Sequence, residues 1–307
     1  MEKVSIVIVS MNKLNNLEVC LPSIKKYTEL DYKVYLVAYL FSKENLAILR
    51  KKYPDVFVIE SNEIRGFSEN NNLALKQVKG EYTFILNDDT EFREPVLDKL
   101  LKALECTPEA SIMSPVLIHG DGSLQYNGRR KYTLWGFIKE QLGFKQPKNS
   151  KYENGIGVYK SYNISGAAFL IKTSFFKKMG FFDEKYFFSP EDIVLSTLIN
   201  KKGYGCFVDA NTTIVHYEGV SSRKGKLFYA TTSTAQLGMS YFYGHNLFRR
   251  LLLLTLWKFK SIYFNILYCF KQTEHTYDFK YIYNTIYKAY LEKKSTKGLF
   301  IEEYRKV

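Results

Sequence analysis

Tyr82-Thr83-Phe84-Ile85-Leu86-Asn87-Asp88-Asp89-Thr90 is an apolar, β-prone run that ends abruptly in acids. Its uncharged first part suits a strand buried on both faces, as in a parallel sheet. Upstream of it the chain alternates. Residues 68–78 have helical spacing, with Ser68 as the expected N-cap and Gly80 beyond the end. Residues 56–60 predict a strand, and 44–52 a helix closed by Pro54. Residues 33–40 predict another strand, 15–27 a helix with Leu17, Leu21 and Ile24 on one side, and 4–9 the opening strand. This alternation predicts an α/β fold with an open, mostly parallel sheet. Such sheets bind ligands at the carboxyl ends of their strands, at a topological switch point. The acids after Leu86 stand at such an end.

Beyond residue 90 the pattern loosens. Residues 95–105 predict a helix, 112–165 strand and loop, 166–171 a strand, 190–201 a helix, and 205–215 one or two short strands. The chain of 307 residues carries a net charge of +13, and the excess is uneven. From Val220 onward there are 15 Lys and Arg against 5 Asp and Glu, so the remainder carries only +3. The same tail holds 20 of the 50 aromatic residues. This shift predicts a boundary near 220, with one domain over 1–220 and a basic, aromatic-rich helical extension over 221–307. The longest apolar stretch, 251–270, is interrupted by Lys258 and Lys260 and is not read as a spanning helix. Met1-Glu2-Lys3 leads straight into the apolar run over 4–9, which is too short for the core of a signal peptide and reads as a strand. Cys20, Cys106, Cys206 and Cys269 are scattered, which argues against a disulfide scaffold or a zinc–cysteine site and suits a reducing compartment. The charge alone fits a nucleic acid, an anionic lipid surface or a nucleotide substrate. No nucleic-acid module accompanies it.

Four groups of residues could carry chemistry, and each also has a simpler reading. Asn87-Asp88-Asp89-Thr90 could hold a hard divalent cation through oxygen ligands, or form a turn. In Ser189-Pro190-Glu191-Asp192, Ser189 can cap a helix with Pro190 at its first position. The two acids then complement the helix dipole, and a carboxylate held there could serve as a general base. His216 ends an apolar run, as a surface polar residue or a metal ligand. The asparagines of Arg65-Gly66-Phe67-Ser68-Glu69-Asn70-Asn71-Asn72 either cap a helix or present amides to a ligand.

Taken in order, these fragments resemble the inverting family-2 glycosyltransferases of the GT-A fold, in particular the bacterial rhamnosyltransferase-like branch. The resemblance runs from about Val4 to Ser222. Val4-Ser5-Ile6-Val7-Ile8-Val9-Ser10-Met11-Asn12 resembles the family's opening strand and nucleotide-contacting loop. The segment from Asn62 through Gly66-Phe67 to Asn72 is similar to its Asn-rich stretch, and Leu86-Asn87-Asp88-Asp89-Thr90 to its Asp-x-Asp position. Ser165-Gly166-Ala167-Ala168-Phe169 resembles the strand beneath the donor sugar. Gly180-Phe181-Phe182-Asp183-Glu184 followed by Phe187-Phe188-Ser189-Pro190-Glu191-Asp192 resembles the segment with the catalytic acid pair. Val215-His216-Tyr217-Glu218-Gly219 resembles the terminal histidine motif.

The resemblance implies a GT-A domain, Rossmann-like with flanking helices, followed by the helical extension. It implies inverting sugar transfer from dTDP-rhamnose or a UDP-sugar to a saccharide or lipid-linked acceptor in bacterial surface-polysaccharide assembly. The alternative is a catalytically silent nucleotide-sugar binder. By the resemblance Asp192 is the general base and Glu191 orients the site or the acceptor. Asp89 and His216 hold Mn²⁺ or Mg²⁺, with His216 tilting the choice toward Mn²⁺. Ser10, Asn12, Asn72 and Asp88 lie near the nucleotide, and Gly166 near the sugar. Two departures stand out. The usual base-contacting acid after the second strand is missing from Val37-Ala38-Tyr39-Leu40-Phe41-Ser42, so Tyr39 is the candidate to stack on the base. Asn87 replaces the first acid of Asp-x-Asp, which removes one negative charge. Residues 119–162 are expected to shape the acceptor side. The tail from 241 to 270 is expected to dock on an anionic inner membrane surface, to pack on the catalytic domain, or to form a dimer contact, and the location implied is cytoplasmic.

Overall fold

The computed structural model describes residues 2–125, 128, 131–144, 156–217 and 225–306. The opening strand β1 (Val4–Met11) is followed by α1 (Leu14–Tyr27), β2 (Tyr32–Tyr39), α2 (Lys43–Lys52), β3 (Phe57–Ser61), α3 (Phe67–Leu75) and β4 (Tyr82–Asn87). β1 lies between β2 and β4 and is parallel to both, and β3 adds parallel to β2. The chain therefore builds one side of β1 and then returns to the other, which makes the β1–β4 boundary the switch point. Alternate residues bury on opposite faces. Ile6 and Ile8 pack with Leu17 and Ile24 of α1, while Val7 packs with Ile85 of β4 and Phe169. Both sheet faces are covered, as a run of uncharged strand residues requires.

The second half of the sheet is mixed. After the two-residue β5 (Thr90–Glu91) come α4 (Val96–Glu105), β6 (Ala110–Ile118), α5 (Leu134–Gln141), β7 (Val158–Ser161) and β8 (Ala168–Lys172). Then follow α6 (Thr173–Met179), α7 (Glu191–Lys201) and β9 (Gly205–His216). The strand order is β3-β2-β1-β4-β8-β6-β9-β5, with β7 on β9. β8 is antiparallel to β4 and β6, while β9 is parallel to β6. The architecture is thus the α/β sheet with flanking helices that the alternation predicts.

Several local expectations are corrected. The third helix begins at Phe67 with Gly66 at its cap, and Ser68 is buried inside the first turn. The Gly66 N–H is instead bound by the Glu69 carboxylate, and the Phe67 N–H by the Phe187 carbonyl. Gly66 is required there, because a Cβ would lie 2.0 Å from the Phe187 oxygen. The helix expected from 190 begins at Glu191 with Pro190 as cap, and Ser189 sits in the left-handed region rather than capping. The one or two short strands expected over 205–215 are a single strand of 12 residues whose pairing with β6 shifts register twice. The stretch 112–165 also holds a helix, α5, which the pattern did not predict, and α6 was likewise unanticipated.

The C-terminal region is helical as expected: α8 (Gly225–Tyr243), α9 (Leu247–Phe270), α10 (Glu274–Leu291) and α11 (Thr296–Arg305). The boundary expected near 220, with Glu218, Gly219 and Ser222, lies outside the described residues. These helices form their own core around Trp257, Tyr290 and Ile286, which also takes in Leu134, Phe137 and Ile138 of α5. They also rest on the loop before α7. The Phe187 ring meets Phe300 at 4.3 Å, the Phe187 N–H donates to Thr296 Oγ1, and Thr296 Oγ1 donates to the Lys185 carbonyl. Gly238 of α8 lets that helix approach the Ser189 carbonyl, which a Cβ would meet at 2.4 Å.

Candidate active site at the switch point

The ends of β1, β2 and β4 place Ser10, Asn12, Tyr39 and Asp88 along one edge. Ser10 is fully buried opposite Ala38 in the β1–β2 register. Asn12 has a positive φ of 53° and its Oδ1 accepts from the Ser42 N–H and from Asn45 Nδ2. It thereby ties the loop after β1 to the start of α2. Tyr39 is buried and its hydroxyl accepts the Arg65 N–H. Asp88 accepts from Asn16 Nδ2 at 3.3 Å. Burial pushes its carboxyl up to about 6, the Asp89 charge adds to that, and Ser10, Asn16 and Lys13 oppose it.

Asp89 and His216 meet although 127 positions separate them in sequence. β5 pairs with β9 so that Thr90 faces His216, and the Tyr217 N–H donates to the Asp89 carbonyl. The Asp89 Oδ1 is 3.3 Å from His216 Nε2, and Asn87 Nδ2 lies 3.4 Å from the same nitrogen. On the other side of the ring, Nδ1 is 2.8 Å from Gln125 Oε1. The Gln125 amide nitrogen donates to the His216 carbonyl, which can only accept, so the amide orientation is set and Oε1 must face the ring. Nδ1 therefore carries a proton, and in the neutral ring Nε2 presents a lone pair toward the Asp89 carboxylate. Two acceptor atoms at this separation repel unless a proton or a cation lies between them. The pair thus suits a divalent cation. No group of three or more His, Cys, Asp and Glu side chains converges among the described residues. Two protein ligands suffice where phosphate oxygens and water complete the shell.

Gln125 was not singled out from the sequence. Its position is built locally: β6 ends, the His119 N–H binds the Ser123 carbonyl, and the Gln125 N–H returns to Leu117. Asp121-Gly122 is a turn signal that foretells this return. Nothing local reveals that the returning residue meets a histidine 91 positions away.

The acid pair sits at the head of α7. Asp192 Oδ2 accepts the Gly166 N–H at 3.2 Å, and Oδ1 accepts the Ile193 N–H at 2.7 Å. The next residue, Ala167, accepts the Asn87 N–H at 2.8 Å. Residues 166–167 thus connect Asp192 to the end of β4. Asp192 also lines a cavity of about 70 Å³ with Tyr132, Asn163 and Ser165. Glu191 is half-buried, and its Oε2 is buried without a hydrogen-bond partner among the described residues. Burial and then the Asp192 charge push its carboxyl well above the ordinary carboxylate range. Asn72 is not brought to this cluster. Its amide clamps the Phe182 backbone at both the N–H and the carbonyl and also donates to Glu184. It lines a separate cavity of about 650 Å³ with Lys76, Thr197 and Phe242. Residues 119–162, expected on the acceptor side, supply Gln125 and Tyr132; 126, 127, 129, 130 and 145–155 lie outside the described residues.

The switch-point sheet thus carries acids at the end of β4 and at the head of α7. The chain belongs to glycosyl transferase family 2, whose family model matches residues 5–180. Among relatives, it is 26% identical over 156 residues to the O-antigen biosynthesis protein RfbC of Myxococcus xanthus, covering 50% of this chain and 12% of that protein. It is 23% identical over 195 residues to the N-acetylglucosaminyl-diphospho-decaprenol L-rhamnosyltransferase of Mycobacterium tuberculosis, covering 56% of this chain and 62% of that protein. The match thus spans less than two thirds of either relative. Among solved structures, it resembles GalNAc-T7 with UDP, GalNAc and Mn²⁺ (TM-score 0.57, 17% identity, 78% of this chain and 50% of that chain). It also resembles the mannosyltransferase PcManGT from Pyrobaculum calidifontis in complex with GDP-Man and Mn²⁺ (TM-score 0.56, 14% identity, 99% of this chain and 86% of that chain). At these identities the two structures speak for the fold.

Proposed function

We propose that this family-2 glycosyltransferase moves a sugar, with inversion, from dTDP-rhamnose or a UDP-sugar to a hydroxyl of a saccharide or lipid-linked acceptor. The process it serves is bacterial surface-polysaccharide assembly. The observation that carries the reading is the Asp192–Gly166 hydrogen bond, which ties the base to the turn before β8 that is itself bonded to the end of β4. Asp192 takes the acceptor hydroxyl proton. The freed oxygen bonds to the anomeric carbon from the face opposite the leaving group, and the bond to the diphosphate oxygen breaks with its electrons on that oxygen. Burial, and then the Asp192 charge, push the Glu191 carboxyl up, which favours Asp192 as the charged member of the pair and Glu191 as a hydrogen-bond donor to the acceptor. Asp89 and His216 would hold Mn²⁺ or Mg²⁺, whose charge supports the departing diphosphate. The domain over 1–220, with its small net charge, carries this chemistry, and helices α8 and α11 of the 221–307 extension brace the loop before α7. The RfbC and rhamnosyltransferase names support a polysaccharide role, and the Mn²⁺ in both structural neighbours supports a divalent cation.

The test is a panel of nucleotide sugars with and without Mn²⁺, read by thermal unfolding. The true donor at about a hundredfold excess over its Kd should stabilise the fold by about 2.7 kcal/mol, a rise of several degrees in Tm. No rise with any dTDP- or UDP-sugar would overturn the donor assignment. Stabilisation without transfer to any acceptor would favour the silent binder.

Gln125 gives a second check. Gln125→Leu removes the acceptor that keeps the proton on Nδ1, so Mn²⁺ affinity measured by calorimetry in the presence of nucleoside diphosphate should fall about 10–100-fold. Unchanged affinity would mean that His216 does not ligate through Nε2.

A further inference from the structure

We infer that the outer face of α9 is a docking surface for an anionic lipid bilayer, on which the helix lies in the plane of the interface. The inference concerns where the protein sits and holds whatever sugar is transferred. α9 buries one side, with Leu253, Leu256, Trp257 and Lys260 directed into the C-terminal core. The other side is open along its whole length. Leu247 is 73% exposed, Leu251 53%, Phe259 57%, Ile262 50%, Ile266 54% and Phe270 86%. At 3.6 residues per turn these six fall within one stripe of about 140°, and the helix is about 36 Å long. Scattered exposed apolar residues are ordinary, but a continuous stripe marks a surface that something covers.

The charge identifies what covers it. α9 contains no acid. Arg249 and Arg250 lie in its first turn on either side of the stripe, Lys258 stands within the stripe near one margin at mid-helix, and Lys271 follows its end. A second copy is a poor occupant. An antiparallel two-fold pairing centred on mid-helix uses the same patch twice and sets Lys258 beside Lys258, with no acid on either α9 to receive it. Acidic headgroups do receive it. Phe259, Ile262 and Ile266 can enter the acyl boundary while the arginines and lysines extend to the phosphates. Spanning is not the mode, because no helix among the described residues is long and apolar enough to cross a membrane.

The test is flotation of the full-length protein with phosphatidylcholine vesicles, with and without phosphatidylglycerol. The protein should float with the anionic vesicles and be released by salt. The triple variant Phe259→Ser/Ile262→Ser/Ile266→Ser should partition at least about tenfold less, and Arg249→Gln/Lys258→Gln should lose a similar factor on anionic vesicles only. All five side chains lie outside the buried core, so unchanged thermal unfolding of the variants serves as the folding control. Failure of the wild-type chain to float would overturn the inference. So would equal flotation of wild type and triple variant, or a wild-type dimer in sedimentation that the triple variant turns into monomer.

Discussion

Asp192→Asn should lower kcat about 10²–10⁴-fold while leaving the Kd of the nucleotide-sugar donor within a few-fold, because it removes the proton acceptor and little else. The side chain keeps its size. One of its backbone hydrogen bonds among the described residues, from Gly166 or from Ile193, is exchanged for an N–H facing an N–H, a local cost of about 1–3 kcal/mol in stability. That cost shows in Tm, whereas loss of the base shows in kcat, so the two are separable by measuring unfolding, donor binding and turnover on one preparation. Glu191→Gln is the paired control. Burial and the neighbouring Asp192 charge push the Glu191 carboxyl up toward its protonated form, which the amide mimics. It should retain at least about a tenth of wild-type turnover, far above the loss at Asp192. Equal losses at both positions, or full activity in Asp192→Asn, would overturn the assignment of the base.

Asp89→Asn should reduce Mn²⁺ affinity and kcat/KM together. Neutralising the charge on a leaving diphosphate is worth several kcal/mol, and about 3–4 kcal/mol corresponds to some 10²–10³-fold in rate. The substitution leaves the Asp89 carbonyl free to accept the Tyr217 N–H, so the β5–β9 pairing that presents His216 should persist. Mn²⁺ binding can be read by calorimetry or by the electron paramagnetic resonance of the ion, without any reference to turnover. A variant with normal Mn²⁺ affinity and depressed activity would remove Asp89 from the ligand set. A variant normal in both would remove the cation from this site.

The first four strands and three helices were legible because their signals are local. Val4 to Val9 and Tyr82 to Leu86 are uncharged runs of strand length. Leu17, Leu21 and Ile24 repeat at the helical period and pack against the sheet. The caps misled because backbone donors answered to distant partners. The Phe67 N–H is bound by the Phe187 carbonyl, so the helix at 67 starts one residue before the serine that its propensity marks. Ser189 adopts a positive φ as α8 closes over its carbonyl through Gly238. α5 carries no such local signal, because it is short and buries Leu134, Phe137 and Ile138 against residues such as Leu237 and Trp257, far along the chain.

By itself the sequence determined the α/β class, the switch-point location of Asp88 and Asp89, the order of motifs that marks family 2, and the segregation of basic and aromatic residues in the tail. Each of these depends on periodicity, spacing or composition, which need no knowledge of distant contacts. Only the tertiary structure decided that Gln125 sets the His216 tautomer, that Gly166 anchors Asp192, that Asn72 serves as a clamp on residues 182–184, and that α9 turns its apolar stripe outward. These are pairings between groups far apart in the chain. A hydrogen bond or a buried face is made with whichever partner the packed sheet brings within reach, and that choice is written in the fold as a whole rather than in any one segment.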